Sequence, residues 1–241
     1  MIHYLTRAVL DRDAPEHALR PLLDPVDQNL AFDAHHRLMW TLFPDRGAKR
    51  DFLWRADEKG RFLILSPRKP RDSRLFRALE SKPFTPMLSP GDRLAFALRA
   101  NATKDRRPER GEMVVSGTKR RPLKNRRVDV VMDAMQEQGI AGGNTGPNSR
   151  AERRMAVAAD AARVWLSGQG TRCGFSMDEM AVEDYRVVKL KRQNGKEATF
   201  GVLDLTGLLT VREPAAFTNA LLAGIGRAKA YGCGLMLVRR A

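Results

Sequence analysis

DFLWRADEKGRFLILS, residues 51–66, contains two apolar runs that are joined by Lys59 and Gly60. The runs at 51–56 and 61–66 are rich in Leu, Ile, Phe and Trp, and a glycine after a charged residue is typical of a turn. The stretch therefore predicts a β-hairpin. This hairpin is the starting point for the fold of the first half of the chain.

Apolar patterns on both sides of the hairpin extend this interpretation. Residues 2–10 predict a strand and residues 27–43 a helix, whereas residues 73–79 predict a short helix and residues 84–88 a closing strand. The order strand, helix, strand, strand, helix, strand is that of the ferredoxin-like split βαβ motif. A cluster of proline, serine and glycine then predicts a boundary, which places the first domain at residues 1–90.

The second half of the chain has the same order of elements without a visible sequence repeat. Its first predicted elements are a strand at 93–100, a basic segment and a flexible glycine-rich loop at 139–148. A helix then begins at a capping box of Ser149 and Glu152, runs to about Leu166 and is stopped by Gly168. A hairpin of strands 185–191 and 199–205 with a turn at Asn194 and Gly195, a helix from Pro214 to near Gly224 and a strand at 235–238 complete the predicted order. We therefore predict an α+β fold of two tandem ferredoxin-like (RRM-like) β-α-β-β-α-β domains, the second at residues 91–241.

The composition excludes several classes of protein. The chain has 241 residues, of which 43% are hydrophobic, so it can bury a core. No run of about 18 apolar residues predicts a transmembrane helix, and the N-terminus does not resemble a secretory signal. Two cysteines cannot form a disulfide framework, and they lack neighbours at zinc-ligand spacing. We expect a cytoplasmic protein without a metal site.

Positive charge is the first indication of function. The chain carries 43 Lys and Arg against 28 Asp and Glu, a net charge of +15 that predicts a polyanionic partner. Residues 99–127 contain eleven basic and three acidic residues. Prolines, glycines and the absence of an apolar stripe argue against a membrane-bound helix there. The segment predicts a basic loop or ribbon that contacts phosphates, although a solvated insertion is the alternative.

Three further stretches are more specific. They are HHRLMWTLFP at 35–44, LRANATK at 98–104 and GIGRAKAYGCGL at 224–235. Together and in this order they resemble the CasE family of CRISPR-associated endoribonucleases. The resemblance implies two ferredoxin-like domains and metal-independent cleavage of precursor CRISPR RNA on the 3′ side of a repeat stem-loop, with no cofactor. It also implies a protein that is a monomer on its own and stays with the product in the Cascade complex, beside the backbone subunit.

The resemblance places the catalytic histidine at His36, four residues before Trp40. Helical periodicity agrees, because it places His35 next to the apolar face and His36 on the polar side with Asp33 and Arg37. An imidazole can transfer a proton to or from RNA near neutral pH. Attack by the 2′-OH would then give a 2′,3′-cyclic phosphate, or the 3′-phosphate derived from it, and a 5′-OH.

Asp33 departs from the family pattern, in which a tyrosine often stands three residues before the histidine. The carboxylate could orient His36 or raise its pKa, or it could pair with Arg37 at i, i+4. The ion pair is the favoured interpretation. The sequence does not name a second catalytic group.

The glycine-rich segment at 224–235 has two interpretations. Its backbone could approach a phosphate closely, or it could be a tight connection packed between the domains. The resemblance favours a loop near RNA, with Lys229 as its contact. The complete set of predicted RNA-binding residues is Arg99, Lys104, Arg120, Arg121, Lys124, Arg126, Arg127, Lys189, Lys191, Arg192, Arg227 and Lys229.

Two hypotheses compete with an RNA-processing enzyme. The first is a non-catalytic RNA-binding scaffold of an RNA-guided complex, which the missing tyrosine supports. The second is a plain ferredoxin-like RNA-binding module. The second does not explain the three ordered stretches, and the aromatic-rich strands of such modules are missing.

Overall fold

The structure is a computed structural model. The residues that the structure describes are 2–11, 25, 27–44, 49–57, 60–106, 113–116, 119–122, 126–139, 147–191 and 197–241. Within these ranges, no helix combines the length and the apolar character needed to cross a membrane.

The first sheet is formed by residues 3–84. Its elements are β1 (His3–Leu10), α1 (Gln28–Thr41), β2 (Leu53–Ala56), β3 (Arg61–Ser66) and β4 (Phe76–Phe84). The strand order is β2-β3-β1-β4, and each neighbouring pair is antiparallel. The predicted hairpin at 51–66 is therefore confirmed.

The predicted helix at 73–79 is wrong, and so is the predicted strand at 84–88. Strand β4 already starts at Phe76 and ends at Phe84. It pairs with β1 from Leu10–Phe76 to His3–Phe84, and this long ladder overrides the weak helical pattern. The connection at 67–75, which the structure describes throughout, returns the chain across the sheet without a helix. The first half thus lacks the second helix of the predicted motif.

The second sheet is formed by residues 93–240 and carries an insertion. Its elements are β5 (Arg93–Ala100), β6 (Thr103–Arg106), β7 (Met113–Ser116), β8 (Lys119–Pro122), β9 (Arg126–Asp129), α2 (Val130–Glu137), α3 (Pro147–Cys173), β10 (Phe175–Lys191), β11 (Glu197–Val211), α4 (Pro214–Ala223), a 3-10 turn (Lys229–Tyr231) and β12 (Met236–Arg240). The order β10-β11-β5-β12 matches that of the first sheet, so the tandem ferredoxin-like fold is confirmed. The paired strands β6–β9 and β7–β8 form a basic ribbon, defined here as residues 103–129.

Helix α3 is longer than predicted at both ends. It starts at Pro147, so Ser149 is not its cap, and it passes through Gly168 to Cys173. Close packing requires a glycine at position 170, where a Cβ atom would lie 2.5 Å from the Phe175 carbonyl oxygen. Gly174, with a φ of +78°, ends the helix.

The predicted loops are covered only in part. Most of the glycine-rich loop at 139–148 lies outside the described residues, and so does the turn with Asn194 and Gly195. The hairpin that contains this turn is confirmed, and its strands are longer than expected. The helix that opens at Pro214 is also confirmed.

Helix α1 lies at the junction of the two halves. One face packs on the first sheet through Leu38, Met39 and Leu42, all of which are buried. At the N-terminal end of the helix, Phe32 packs instead with Val188 and other apolar residues of the second half. The helix therefore carries its polar residues to the line where the two halves meet.

Candidate active site

The two adjacent histidines of α1 have different surroundings. Asp27 starts the helix, because its carboxylate accepts the N–H groups of Asn29 and Leu30. His35 is buried against Trp54 and Phe62, at ring-centroid distances of 6.2 and 5.0 Å. The prediction that His35 is a packed residue is thus confirmed.

His36 is half-buried and contacts the glycine-rich segment. Its Nδ1 lies 2.9 Å from the carbonyl oxygen of Ala230, 194 residues further along the chain. Because a carbonyl oxygen can only accept, Nδ1 carries the hydrogen in this contact, and Nε2 of the neutral ring is left as an acceptor. Trp54 Nε1 donates to the same oxygen at 3.2 Å, which holds the carbonyl in place.

The glycine-rich segment packs against the first sheet at two positions. A Cβ atom at Gly232 would lie 2.8 Å from the Trp54 ring, and one at Gly224 would lie 2.8 Å from the Leu53 side chain. Both glycines have positive φ values, of 76° and 78°. At these positions the packed connection is the better interpretation. The segment also has a role that the sequence did not reveal, which is to supply the carbonyl that binds His36.

Asp33 forms an ion pair with Arg37, with 3.0 Å between a carboxylate oxygen and Nη2. The favoured interpretation of Asp33 is therefore confirmed. Both side chains are largely exposed, so the pair contributes little to stability. Its relevance to the site is electrostatic, because the Asp33 carboxylate acts to raise the pKa of His36.

Arg50 adds a cation to the surroundings of His36, because its charge acts on the imidazole. The same charge also acts on Lys229 of the glycine-rich segment, so Arg50 lies within electrostatic range of both groups. Lys229 donates from Nζ to the Ala223 carbonyl oxygen at 2.7 Å, and Arg50 donates to the carbonyl oxygen of Phe52. Sequence reasoning missed Arg50, because it lies outside the basic segment. Its position just before the predicted strand at 51–56, shortly after the histidine helix, was the available indication.

Burial is the largest influence on the pKa of His36 and lowers it. Arg50 and Arg37 act in the same direction, whereas the Ala230 hydrogen bond and Asp33 act to raise the pKa. The net result is a pKa below the ordinary histidine value. His36 is therefore mainly neutral at pH 7, as a general base must be.

A polar groove of about 540 Å³ brings three predicted RNA-binding residues together. Its cationic lining residues are Lys104 and Arg127 from the basic ribbon, Arg172 from α3, and Arg227 from the glycine-rich segment. Lys104 pairs with Asp133 at 2.8 Å and Arg127 with Asp105 at 2.7 Å, which fixes their positions. Arg172 was not predicted, because it belongs to the part of α3 beyond the expected end at Leu166.

Arg99 lies apart from this groove. Its guanidinium donates to Asp204 at 2.9 and 3.0 Å and to the Ala56 carbonyl oxygen at 3.2 Å. Arg55 of the first half and Arg186 of the second also bind Asp204, at 3.4 and 3.2 Å. Arg99 thus connects the two halves of the chain, and its guanidinium is engaged at this junction instead of in the polar groove.

The remaining predicted RNA-binding residues are exposed or only partly described. Arg126 and Lys189 are exposed. The structure describes the backbone but not the side chains of Arg120, Arg121 and Lys191. Lys124 and Arg192 lie outside the described residues.

Comparison with known proteins agrees with this fold. The chain is 25% identical over 211 residues to the CRISPR system Cascade subunit CasE of Escherichia coli strain K12, which covers 83% of this chain and 88% of the relative.

Solved structures share the fold over nearly the whole chain. Thermus thermophilus Cse3, bound to an RNA that represents a pre-cleavage complex, superposes with a TM-score of 0.64 at 21% identity, covering 99% of this chain and 100% of that one. CRISPR endoribonuclease Cse3 bound to a 19-nucleotide RNA gives a TM-score of 0.62 at 21% identity, with coverage of 99% and 98%. The resemblance inferred from the three sequence stretches is confirmed. A family model described as CRISPR associated protein matches residues 3–240, and the chain therefore belongs to that family.

Proposed function

We propose that this protein is a metal-independent endoribonuclease that cleaves precursor CRISPR RNA on the 3′ side of the repeat stem-loop. The observation that carries the proposal is the state of His36. The imidazole stands where the CasE resemblance places the catalytic histidine, its Nδ1 is bonded to Ala230, and Nε2 is left as the acceptor of a ring on which the charge of Arg50 acts. The names of the relatives, a CasE subunit and a Cse3 endoribonuclease, agree with it.

The geometry supports a simple sequence of steps. His36 Nε2 removes the proton from the 2′-OH, the 2′-oxygen attacks the adjacent phosphorus, and the bond from phosphorus to the 5′-oxygen breaks. Arg50 and Lys229 stabilise the negative charge that develops on the phosphoryl oxygens. In this scheme, solvent protonates the leaving 5′-oxygen and later accepts the proton from His36. The products carry a 2′,3′-cyclic phosphate, or the 3′-phosphate derived from it, and a 5′-OH.

The RNA-binding surface comprises the basic ribbon, the hairpin residues around Lys189 and the groove with Lys104, Arg127 and Arg227. An A-form stem is recognised mainly through its shape and backbone, which suits cations on a protruding ribbon. We propose that Arg172 belongs to this surface as well.

The protein keeps its product, in this proposal, as a Cascade subunit beside the backbone subunit, and is a monomer outside the complex. The name of the Escherichia coli relative, a Cascade subunit, supports this assignment. The division into domains at residue 90 and the cytoplasmic setting stay predictions.

The test is an assay with end-labelled repeat RNA in EDTA. We expect the wild type to cut at one site and to leave the two ends described above. A second RNA, with a 2′-deoxy nucleotide at the mapped position, serves as the matched control and should not be cut. Cleavage that requires added metal, or that persists in the 2′-deoxy RNA, would contradict the proposed mechanism.

A second candidate function is a non-catalytic scaffold that binds the same RNA. Asp33 favours this alternative, because its carboxylate is engaged with Arg37 and α1 provides no phenol at that position. The same assay separates the two functions. Tight binding of the repeat RNA without any cleavage would support the scaffold.

A further inference from the structure

Tyr231 contacts His36 from the side of the glycine-rich segment. The two ring centroids are 5.5 Å apart and the ring planes meet at 48°. Tyr231 directly follows Ala230, whose carbonyl oxygen binds His36 Nδ1. Two consecutive residues therefore touch the same imidazole, one through a hydrogen bond and the other through an aromatic ring.

The ring of Tyr231 also contacts a second aromatic ring. Its centroid lies 5.7 Å from that of Phe200 on β11, and the Phe200 centroid lies 6.3 Å from that of Phe32. Phe32 and His36 are four residues apart on α1, so they lie on the same face of the helix. The rings of His36, Tyr231, Phe200 and Phe32 therefore form a row of three successive contacts, and both ends of the row lie on α1.

The backbone also restricts Tyr231. The residue ends a single 3-10 turn that lies between Ala228 and Gly232, both in the left-handed region. Its N–H donates to the Ala228 carbonyl oxygen at 2.8 Å. Gly232 cannot carry a side chain there, because the Trp54 ring is in the way. The turn therefore presents the Ala230 carbonyl and the Tyr231 ring together.

We propose that Tyr231 is a positioning residue for His36, and that its ring rather than its hydroxyl group performs this role. Within the described part of the chain, the Tyr231 hydroxyl makes no hydrogen bond, whereas the Tyr231 ring contacts the rings of both His36 and Phe200. The ring restricts the rotation of the imidazole and keeps water from one of its faces. In its effect on cleavage, the inference rests on the proposed function.

The charged groups that face His36 are Asp33 and Arg37 on its own helix and Arg50 from the segment before β2. Lys229, in the glycine-rich segment, is within range of the charge of Arg50. None of them is changed in the test variants. A shift in the titration of His36 in these variants would therefore report the loss of the ring.

The test compares Tyr231→Phe, which keeps the ring, with Tyr231→Leu, which removes it. We expect Tyr231→Phe to cleave like the wild type and Tyr231→Leu to cleave about tenfold more slowly in single turnover, because the base is less well placed. RNA affinity should stay within about twofold of the wild type, since no phosphate contact is removed. Tyr4→Leu, on β1, is the matched control for the loss of a half-buried tyrosine and should cleave normally.

A second readout does not depend on cleavage. The pKa of His36, measured by NMR titration in the absence of RNA, should rise towards the ordinary value in Tyr231→Leu and stay unchanged in Tyr231→Phe. Phe200→Leu removes the aromatic ring that contacts Tyr231, and it should shift the pKa of His36 in the same direction. This variant replaces Tyr231→Leu in the test if Tyr231→Leu does not fold.

Two results would overturn the inference. One is a Tyr231→Leu variant with the cleavage rate and the His36 pKa of the wild type. The other is a Tyr231→Phe variant as slow as Tyr231→Leu, which would make the hydroxyl the active group. If the wild type does not cleave RNA, the proposed function fails, whereas the NMR comparison still tests the placement of His36.

Discussion

The pKa of His36 leads to a prediction about pH at the scale of a single residue. Burial holds this pKa below the ordinary value of about 6.5. The ring acts as a base only when it is neutral, so the single-turnover cleavage rate should rise with pH through a midpoint below 6.5 and level off near neutrality. A rate that falls between pH 5 and 7 would show instead that the protonated imidazole is the required form.

Lys229 provides a second prediction at this scale. Its ammonium lies near Arg50 and is held by the Ala223 carbonyl oxygen, so it can stabilise charge in the transition state. We expect Lys229→Ala to lower the single-turnover rate about a hundredfold at saturating protein, and Lys229→Arg to lower it less. Lys189→Ala is the control, because the loss of an exposed residue that we propose as an RNA contact should affect binding and leave this rate unchanged. Equal rates for Lys229→Ala and the wild type would remove Lys229 from the site.

Helical periodicity was sufficient to place His35 beside the apolar face and His36 on the polar side of the helix, and to pair Asp33 with Arg37. These are local relations along one helix, and they depend on spacing alone. The partner of His36 could not be found in this way. Ala230 contributes only a backbone carbonyl, which every residue has, and it meets the helix through a contact 194 positions away.

At the scale of elements, the basic ribbon is firmly anchored at one end. Asp129 caps α2 by accepting the N–H groups of Val131 and Met132, and it also accepts the Tyr185 hydroxyl at 3.0 Å. Asp133 forms ion pairs with Lys104 and Arg106, both at 2.8 Å. This end of the ribbon is therefore a fixed base from which its cations can contact RNA.

The ribbon leads to a prediction about salt. Replacing Lys124, Arg126 and Arg127 together by Ala should weaken binding of the repeat RNA. It should also lower the slope of log affinity against log salt by about 2 to 3, because binding releases about one counterion fewer for each phosphate contact that is lost. The measurement is a binding titration at several salt concentrations. A matched triple variant at Arg74, Arg77 and Lys82, exposed cations on β4 and in the turn before it, should keep the wild-type slope. An unchanged slope in the ribbon variant would contradict the proposed contact.

The elements that the sequence predicted well have strong local patterns. The hairpin at 51–66 has two apolar runs around a glycine, and α4 starts at a proline. The helix expected at 73–79 was wrong because pairing with β1 determines the conformation there, and that partner lies about seventy residues earlier. Helix α3 passes through Gly168 and Gly170 although glycine has a low helix propensity. At position 170 the Phe175 backbone leaves no room for a side chain, so packing explains the glycine there.

At the scale of the whole molecule, the Asp204 cluster ties the two halves together. Burial by itself would raise the pKa of Asp204, but Arg99, Arg186 and Arg55 outweigh it and hold the pKa below its usual value. The stability that this carboxylate contributes is present above the ordinary pKa of about 3.9 and is lost as the pH falls through the lower pKa of the folded state. The junction should therefore be sensitive to acid.

Asp204→Asn should destabilise the protein strongly, because three arginines would share a site without their common anion. We expect the free energy of unfolding to fall by about 3 kcal/mol, measured by denaturant titration at pH 7. Glu80→Gln, which breaks the exposed pair with Arg7, is the control and should change stability little. Equal stability of the Asp204→Asn variant and the wild type would show that the cluster does not hold the halves together.

The sequence predicted two similar halves but not how they meet. His36 belongs to the first half, and Ala230, Lys229 and Tyr231 belong to the second, so the site exists only at the junction. Apolar periodicity predicts which residues are buried within each half. It does not predict which buried face of one half contacts the other, because both sheets have similar apolar patterns.

The most direct test of the account is the single-turnover cleavage rate of His36→Ala beside the wild type, with repeat RNA in EDTA and with RNA affinity measured in parallel. We expect the rate to fall at least about a hundredfold and the affinity to stay the same, since the proposed role of His36 is that of the base and not that of a phosphate contact. Cleavage by His36→Ala at the wild-type rate and at the same site would contradict it.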